Sequence, residues 1–167
     1  MDNITLKVKR LTDSVSIPKY AHDGDMCFDI SVYVDDNEFA PKALDGQLQF
    51  KFDSDTVIEP QQTVLFHTGL KFETPKGYGM KVHVRSSIGI KKHLILSNAT
   101  GIIDTAQYRG ELMVALTNIS SRRQKIESGE RVAQAEIVKV LDVDIKEVDE
   151  LSDTERGTGG IGSTGTK

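Results

Sequence analysis

Apolar and polar residues alternate with a period of two along much of this chain. The alternation is clearest in four segments, which are residues 4–8, 26–32, 48–52 and 78–84. Such alternation is typical of β-strands that bury one face. Turn residues interrupt the strands at short intervals, as at Asp45-Gly46 and Glu59-Pro60. Many short strands with regular turns predict a β-sandwich, a jelly roll or a barrel.

Helical periodicity is scarce, and the one predicted helical turn covers residues 87–92. A length of 167 residues fits a single domain, which we assign to residues 1–151. Within it, residues 35–56 are acidic and interrupted by turn residues, so we interpret them as an insertion that forms its own hairpin. Residues 152–167 hold five of the 14 glycines. Because such a composition buries little apolar surface, we predict a flexible arm that is either idle or folds onto a ligand.

Composition and charge disfavour several classes of function. A net charge of −4 disfavours a general nucleic-acid binder, which would carry a basic face. Since no apolar run approaches the roughly 20 residues that span a bilayer and the start of the chain does not resemble a signal peptide, we expect a soluble cytoplasmic protein. Cys27 lies in an alternating apolar run and is interpreted as a small buried hydrophobic residue. The four histidines are scattered, so their spacing does not predict a zinc site.

The stretch at residues 98–112 carries the clearest candidate chemistry. A polar loop leads into Ile102 and Ile103, places Asp104 at the lip of a turn, and continues into alternating apolar residues, which predicts a β-hairpin. Its mouth presents a carboxylate, an amide and a phenol. Asp104 can orient or deprotonate a water molecule there. It also fits an ordinary turn aspartate, and this stretch alone leaves both interpretations open.

The glycine-rich arm matches two nucleotide-binding patterns by spacing alone. A dinucleotide fingerprint requires a strand before it and a helix after it, which this arm does not offer. A P-loop requires a lysine where Thr166 stands. What remains is a set of unhindered N–H groups with Ser163, Thr164 and Arg156, which together can wrap a polyphosphate.

Five segments, taken in order, resemble the trimeric dUTP pyrophosphatase (dUTPase) family over nearly the whole chain. They are residues 27–30, 84–89, 98–112, 129–134 and 156–165. The resemblance implies an all-β, jelly-roll-like distorted barrel with at most one short helix, and a homotrimer with active sites shared between subunits. It also implies hydrolysis of dUTP to dUMP and pyrophosphate with Mg²⁺, which keeps uracil out of DNA and supplies dUMP for dTMP synthesis.

The resemblance assigns a role to each matching residue. Asp104 would hold the water that attacks the α-phosphorus, and Gln134 would help to fix the geometry of water and phosphate. The phosphates would be bound by Arg85, Ser86 and Ser87, and Asp29 would reach Mg²⁺ through water. Uracil would be read by Asn98, Gly101, Ile102, Ile103 and Met113. Tyr108 would pack on the deoxyribose and leave no room for a 2′-hydroxyl.

The arm would close over the nucleotide through Arg156, Ile161, Gly162, Ser163 and Thr164. Three positions depart from the family pattern. Val84 replaces a proline, the spacing from Asp104 to Tyr108 is one residue longer than usual, and Ile161 replaces an aromatic residue that stacks on uracil. An aliphatic side chain covers the base but loses the stacking contribution, roughly 0.5–1.5 kcal/mol.

Other interpretations stay open. Taken singly, each of these residues also fits a structural role, for example Tyr108 in the core. dCTP deaminases share part of the pattern, but their catalytic glutamate would fall at Ala115 and their arginine at Ile90. A third possibility is a dUTPase-like nucleotide sensor that grips a regulatory protein through residues 35–56.

Overall fold

The computed structural model describes residues 4–34, 56–104 and 107–160, which contain eleven β-strands and one α-helix. In chain order the first six strands are β1 (Lys7–Arg10), β2 (Phe28–Ser31), β3 (Thr56–Ile58), β4 (Thr63–His67), β5 (Leu70–Glu73) and β6 (Tyr78–Val84). Then follow α1 (Ser86–Lys92), β7 (Leu94–Leu96), β8 (Gly101–Ile103), β9 (Met113–Asn118), β10 (Gln124–Ile126) and β11 (Arg131–Lys139). The predicted all-β class with one short helix is confirmed.

The strands form four antiparallel sheets. The largest has the order β2-β11-β6-β8, and the next has the order β4-β9-β7. Two-stranded sheets pair β1 with β5 and β10 with β3. The nine-residue β11 has β2 on one side and β6 on the other, so it forms the middle of the largest sheet.

Alternation along the strands builds the core. In β2 and β9 every second residue is buried, which is the pattern that the sequence predicted. The largest fully buried side chains come from both main sheets and from the smaller ones: Phe66, Ile30, Ile58, Leu70, Met80, Leu94, Leu116 and Ile126. Removing this apolar surface from water is the main stabilisation of the subunit.

Three of the predicted elements coincide with strands or the helix of the structure. The alternating segment 78–84 is β6, segment 26–32 contains β2, and the helical turn at 87–92 is α1, which begins one residue earlier. Segment 4–8 overlaps β1 only in its last two residues. Segment 48–52 lies outside the described residues.

The predicted hairpin at residues 98–112 is wrong. β8 pairs with β6 in the four-stranded sheet, whereas β9 pairs with β4 and β7 in the three-stranded sheet. Gly101 lets β8 lie close to β6, because a Cβ at this position would lie 3.1 Å from the Cβ of Val82. The segment therefore crosses from one sheet to another, and local alternation cannot distinguish this from a hairpin.

Only the last residue of the predicted insertion at 35–56 lies within the described part of the chain. Thr56, the last residue assigned to the insertion, is buried in β3, while residues 35–55 lie outside the described residues. Within the described part of the chain, no helix is long and apolar enough to cross a membrane.

Gly69, at the turn from β4 to β5, has a positive φ of 66° and faces Val15. We expect Gly69→Ala to lower the thermal unfolding midpoint more than Gly77→Ala. Both glycines have positive φ, which costs an L-residue about 1–2 kcal/mol. Only at Gly69 would the new methyl group also overlap a core side chain, an added cost of roughly 1–3 kcal/mol. Equal midpoints at matched protein concentration would contradict this account.

Candidate active site

A cavity of about 380 Å³ lies beside the point where the chain crosses between the two main sheets. It is lined by Leu65, Ile102, Ile103, Asp104, Tyr108, Glu111, Leu112 and Met113. The structure thus brings together five predicted site residues, which come from β8, β9 and the segment between them. Its volume lies within the usual range of ligand pockets.

Asp104 follows β8 directly and is exposed at the lip of this cavity. Its backbone carbonyl accepts hydrogen bonds from the N–H groups of Gln107, at 2.9 Å, and Tyr108, at 2.8 Å. This turn brings Tyr108 back beside Asp104. The two residues also line a second, larger cavity of about 650 Å³, so they stand on the wall between the two spaces.

Tyr108 is 48% exposed, so it is not an ordinary core residue. Its ring folds over Gly110, where any Cβ would overlap the phenol. The hydroxyl donates a hydrogen bond to the backbone carbonyl of Glu111 at 3.1 Å. Gly110 is therefore required for this ring position.

Two other predicted uracil contacts lie near the cavity without lining it. Gly101 is buried against Val82 at the start of β8. Asn98 is exposed in the preceding turn, where its carbonyl accepts a hydrogen bond from the Thr100 N–H at 2.6 Å. These two residues form the start of β8 and the turn that precedes it.

Sequence reasoning missed Glu111 as a site residue. Its carboxylate lies 2.8 Å from Nδ1 of His67 through Oε2, and Oε1 accepts a hydrogen bond from the Gly69 N–H at 2.7 Å. A glutamate that follows a turn glycine has the pattern of a solvent-exposed residue, so the sequence carried no signal for this contact.

A second group of predicted residues gathers at another end of the four-stranded sheet. Asp29 accepts from two guanidinium groups: Oδ1 lies 2.7 Å from Arg85 Nε, and Oδ2 lies 2.9 Å from Arg131 Nη1. Gln134 on β11 is paired in register with Asp29 on β2 and with His83 on β6. Two arginines around one carboxylate leave a net positive group, which suits an anionic ligand.

Ser86 and Ser87 begin α1 directly after Arg85, next to this group. Arg131 was not predicted as a site residue, although it lies inside the matching segment 129–134. The resemblance that placed Gln134 assigned no role to Arg131, and no local pattern reveals that Arg131 reaches across to Asp29.

Within one subunit the two groups are well separated. Asp104 lies beside Gly79 near one end of β6, and Arg85 directly follows the other end. The six-residue interval from Gly79 to Arg85 corresponds to about 20 Å at roughly 3.3 Å per residue.

The arm is described as far as residue 160, and residues 151–160 are exposed. Arg156 forms a local turn through a hydrogen bond from Nε to the Gly159 carbonyl at 3.0 Å. The predicted contacts Ile161, Gly162, Ser163 and Thr164 lie outside the described residues.

Comparison with known proteins decides the family. The dUTPase family model matches residues 41–165. Two deoxyuridine 5′-triphosphate nucleotidohydrolases are similar over most of the chain. The protein from Alkaliphilus metalliredigens is 38% identical over 97% of this chain and 98% of its own length. The protein from a Hydrogenobaculum species is 39% identical over 97% of this chain and 99% of its own.

The chain belongs to the dUTPase family. A solved structure of the Staphylococcus bacteriophage 80alpha dUTPase with dUpNHpp has a TM-score of 0.75 and 28% identity, covering 96% of this chain and 98% of that chain. The predicted jelly-roll fold is confirmed by this likeness, and the predicted enzyme class, dUTP diphosphatase, by the family match.

The deaminase alternative finds no support in the cavity wall of this dUTPase. Ala115 on β9 is paired in register with Leu65, which lines the cavity. A methyl group therefore stands where a deaminase needs a carboxylate. Ile90 is 73% exposed on α1 and carries no charge.

Members of the dUTPase family use a divalent metal. In the described residues no three His, Cys, Asp or Glu side chains gather as a metal site. Asp29 is the predicted contact, and its oxygens already face two guanidinium groups. This donor set fits a metal that takes most of its oxygen ligands from the nucleotide and water, as Mg²⁺ commonly does.

Cys27 lies just before β2 and is only partly buried, so its interpretation as a buried hydrophobic residue was incomplete. Burial raises the pKa of the thiol, and the carboxylates of Glu136, Asp25 and Asp29 raise it further. At neutral pH the thiolate fraction is therefore smaller than in an ordinary cysteine.

We expect iodoacetamide to alkylate Cys27 more slowly than a cysteine in a short peptide at neutral pH. Because the thiolate is the reactive form, the rate should rise through a higher pH than in the peptide. Glu136→Gln should lower that pH, since it removes a negative charge that raises the pKa of Cys27. The check is a pH series followed by mass spectrometry. A rate profile that matches the peptide would refute the raised pKa.

Proposed function

We propose that this dUTPase hydrolyses dUTP to dUMP and pyrophosphate by attack of an Asp104-held water on the α-phosphorus. The observation that carries the proposal is the cavity that gathers Asp104, Tyr108, Ile102, Ile103 and Met113. In a cell this reaction would keep uracil out of DNA and supply dUMP for dTMP synthesis.

The cavity suits a nucleoside. Its wall combines apolar side chains with the backbone ends of β8 and β9, which offer N–H and C=O groups to the edge of uracil. Tyr108 would lie against the deoxyribose, where its ring would exclude a 2′-hydroxyl. Asn98 and Gly101 would contribute through the backbone that leads into β8.

Asp104 is suited to hold and deprotonate water. Its carboxylate stands exposed at the cavity lip, within reach of a nucleotide whose base lies inside. A positioned general base contributes roughly 10²–10⁴ in rate. Gln134 would fix the orientation of the water and the phosphate.

The group around Arg85 would bind the phosphates. Asp29 and the backbone carbonyl of Arg131 hold the Arg85 guanidinium in place, at 2.7 Å and 3.2 Å. Ser86 and Ser87 add hydroxyl groups, and Arg131 adds a second positive charge. Asp29 would also reach Mg²⁺ through water, and a bound Mg²⁺ would neutralise part of the triphosphate charge.

The separation of the two groups supports a homotrimer with shared sites. A nucleoside bound at Asp104 would have its α-phosphate near Asp104 itself, while Arg85 of the same subunit lies about 20 Å along β6. Arg85 from a neighbouring subunit is therefore needed to complete the site.

The segment after β11 also fits an assembly. Leu141, Val143 and Ile145 alternate with charged residues and are 73%, 68% and 91% exposed, and Leu151 is 86% exposed. Apolar side chains exposed in such a row mark a contact surface. A second copy of this chain is the natural cover in a homo-oligomer.

The arm would close over the bound nucleotide. Ordering a residue costs roughly 1–2 kcal/mol, so contacts from Arg156, Ser163 and Thr164 to the phosphates would have to offset that cost. Ile161 and Gly162 would cover the base.

A regulatory role is a second candidate. The 80alpha dUTPase is one of the phage dUTPases that are said to control transfer of virulence genes by a proto-oncogenic G protein-like mechanism. Its likeness to this chain favours the hypothesis that residues 35–56 grip a regulatory protein in addition to the hydrolysis.

Pyrophosphate release from dUTP tests the proposed reaction, with dCTP, UTP and dTTP as comparators. We expect wild-type protein to hydrolyse dUTP preferentially. Asp104→Asn should retain dUTP binding and lose roughly 10²–10⁴ in turnover, because the amide cannot accept the proton of the water. Near wild-type turnover by this variant would remove Asp104 from the mechanism.

Co-expression of two inactive variants tests the shared site. Asp104→Asn keeps Arg85, and Arg85→Ala keeps Asp104, so a mixed trimer contains one interface with both wild-type residues. Random mixing should restore about one quarter of wild-type activity if each site uses one residue from each of two neighbours in a ring. Each variant alone is the control. Mixed trimers that stay inactive would place the whole site within one subunit.

A further inference from the structure

Glu111 links the cavity wall to the turn from β4 to β5. Its carboxylate contacts that turn, and its backbone carbonyl contacts Tyr108. Its carboxylate is only 14% exposed and spans two groups of the turn from β4 to β5. Oε2 lies 2.8 Å from His67 Nδ1, and Oε1 lies 2.7 Å from the Gly69 nitrogen. Its backbone carbonyl accepts the hydrogen bond from the Tyr108 hydroxyl.

The neighbouring residue strengthens the same attachment. The Leu112 N–H donates to the Leu70 carbonyl at 2.9 Å, and the Leu112 carbonyl accepts from the Thr68 hydroxyl at 2.6 Å. The stretch from Tyr108 to the start of β9 is therefore fixed to the turn between β4 and β5. The strand that leads into it, β8, belongs to the four-stranded sheet.

We propose that Glu111, with His67, is a positioning residue that fixes the Tyr108 ring against the sugar and so sets the preference for deoxyribose over ribose. This rests on the proposed hydrolysis of dUTP. The ring is half exposed, and it is held by the hydrogen bond to the Glu111 carbonyl and by close packing over Gly110. A 2′-hydroxyl is excluded only while the ring stays there.

The experiment compares kcat/KM for dUTP and UTP in wild type and in Glu111→Ala. Removing the carboxylate should release the return segment, admit the 2′-hydroxyl and lower the dUTP-to-UTP ratio by about tenfold, chiefly through a lower KM for UTP. Glu111→Gln retains an oxygen for the Gly69 N–H and should stay within about threefold of wild type. Glu59→Ala is the control, because it removes a carboxylate from an exposed pair with Arg123 away from the cavity.

Each outcome decides a separate point. A folded Glu111→Ala protein with an unchanged ratio overturns the positioning role, while dUTP hydrolysis by wild type still supports the proposed function. A wild type that releases no pyrophosphate from dUTP overturns the proposed function itself. If Glu111→Ala fails to fold, Tyr108→Phe decides instead, since it removes the hydroxyl that contacts Glu111 and leaves the ring. A lowered ratio in Tyr108→Phe supports the proposal, and an unchanged ratio overturns it.

Discussion

The site depends on the separation of β8 and β9 into different sheets. β8 lies against β6, where Gly101 closely approaches Val82, and β9 lies between β4 and β7. Had the two strands paired as a hairpin, their N–H and C=O groups would bond to each other. Their divergence instead opens a cavity and leaves Asp104 and Tyr108 on the wall between two spaces.

Charge is balanced differently at the two groups of site residues. Around Asp29 two guanidinium groups share one carboxylate, so a positive charge remains for a phosphate ligand. Around Glu111 a carboxylate is held by a histidine and a backbone N–H in a largely buried position, which anchors a loop. The first arrangement suits binding and the second suits positioning.

The geometry of β6 links these groups to assembly. One strand carries the Asp104 neighbourhood at one end and Arg85 at the other, and an extended backbone cannot fold back to bring them together. In the proposed shared site, a subunit of this fold would therefore supply two half-sites. The exposed apolar row from Leu141 to Ile145 gives a second reason to expect neighbouring copies.

The sequence by itself determined the all-β class, the position of α1 and the alternating core, because burial of one strand face imposes a period of two on the residues. It also gave the family and its candidate residues, since matching segments kept their order along the chain. Tertiary structure decided which strands pair, because alternation shows which residues of a strand are buried but not which strand lies beside it. It also decided the contacts of Glu111 with His67 and of Arg131 with Asp29, which join residues 44 and 102 positions apart. Long-range contacts of this kind leave no local pattern in the residues that make them.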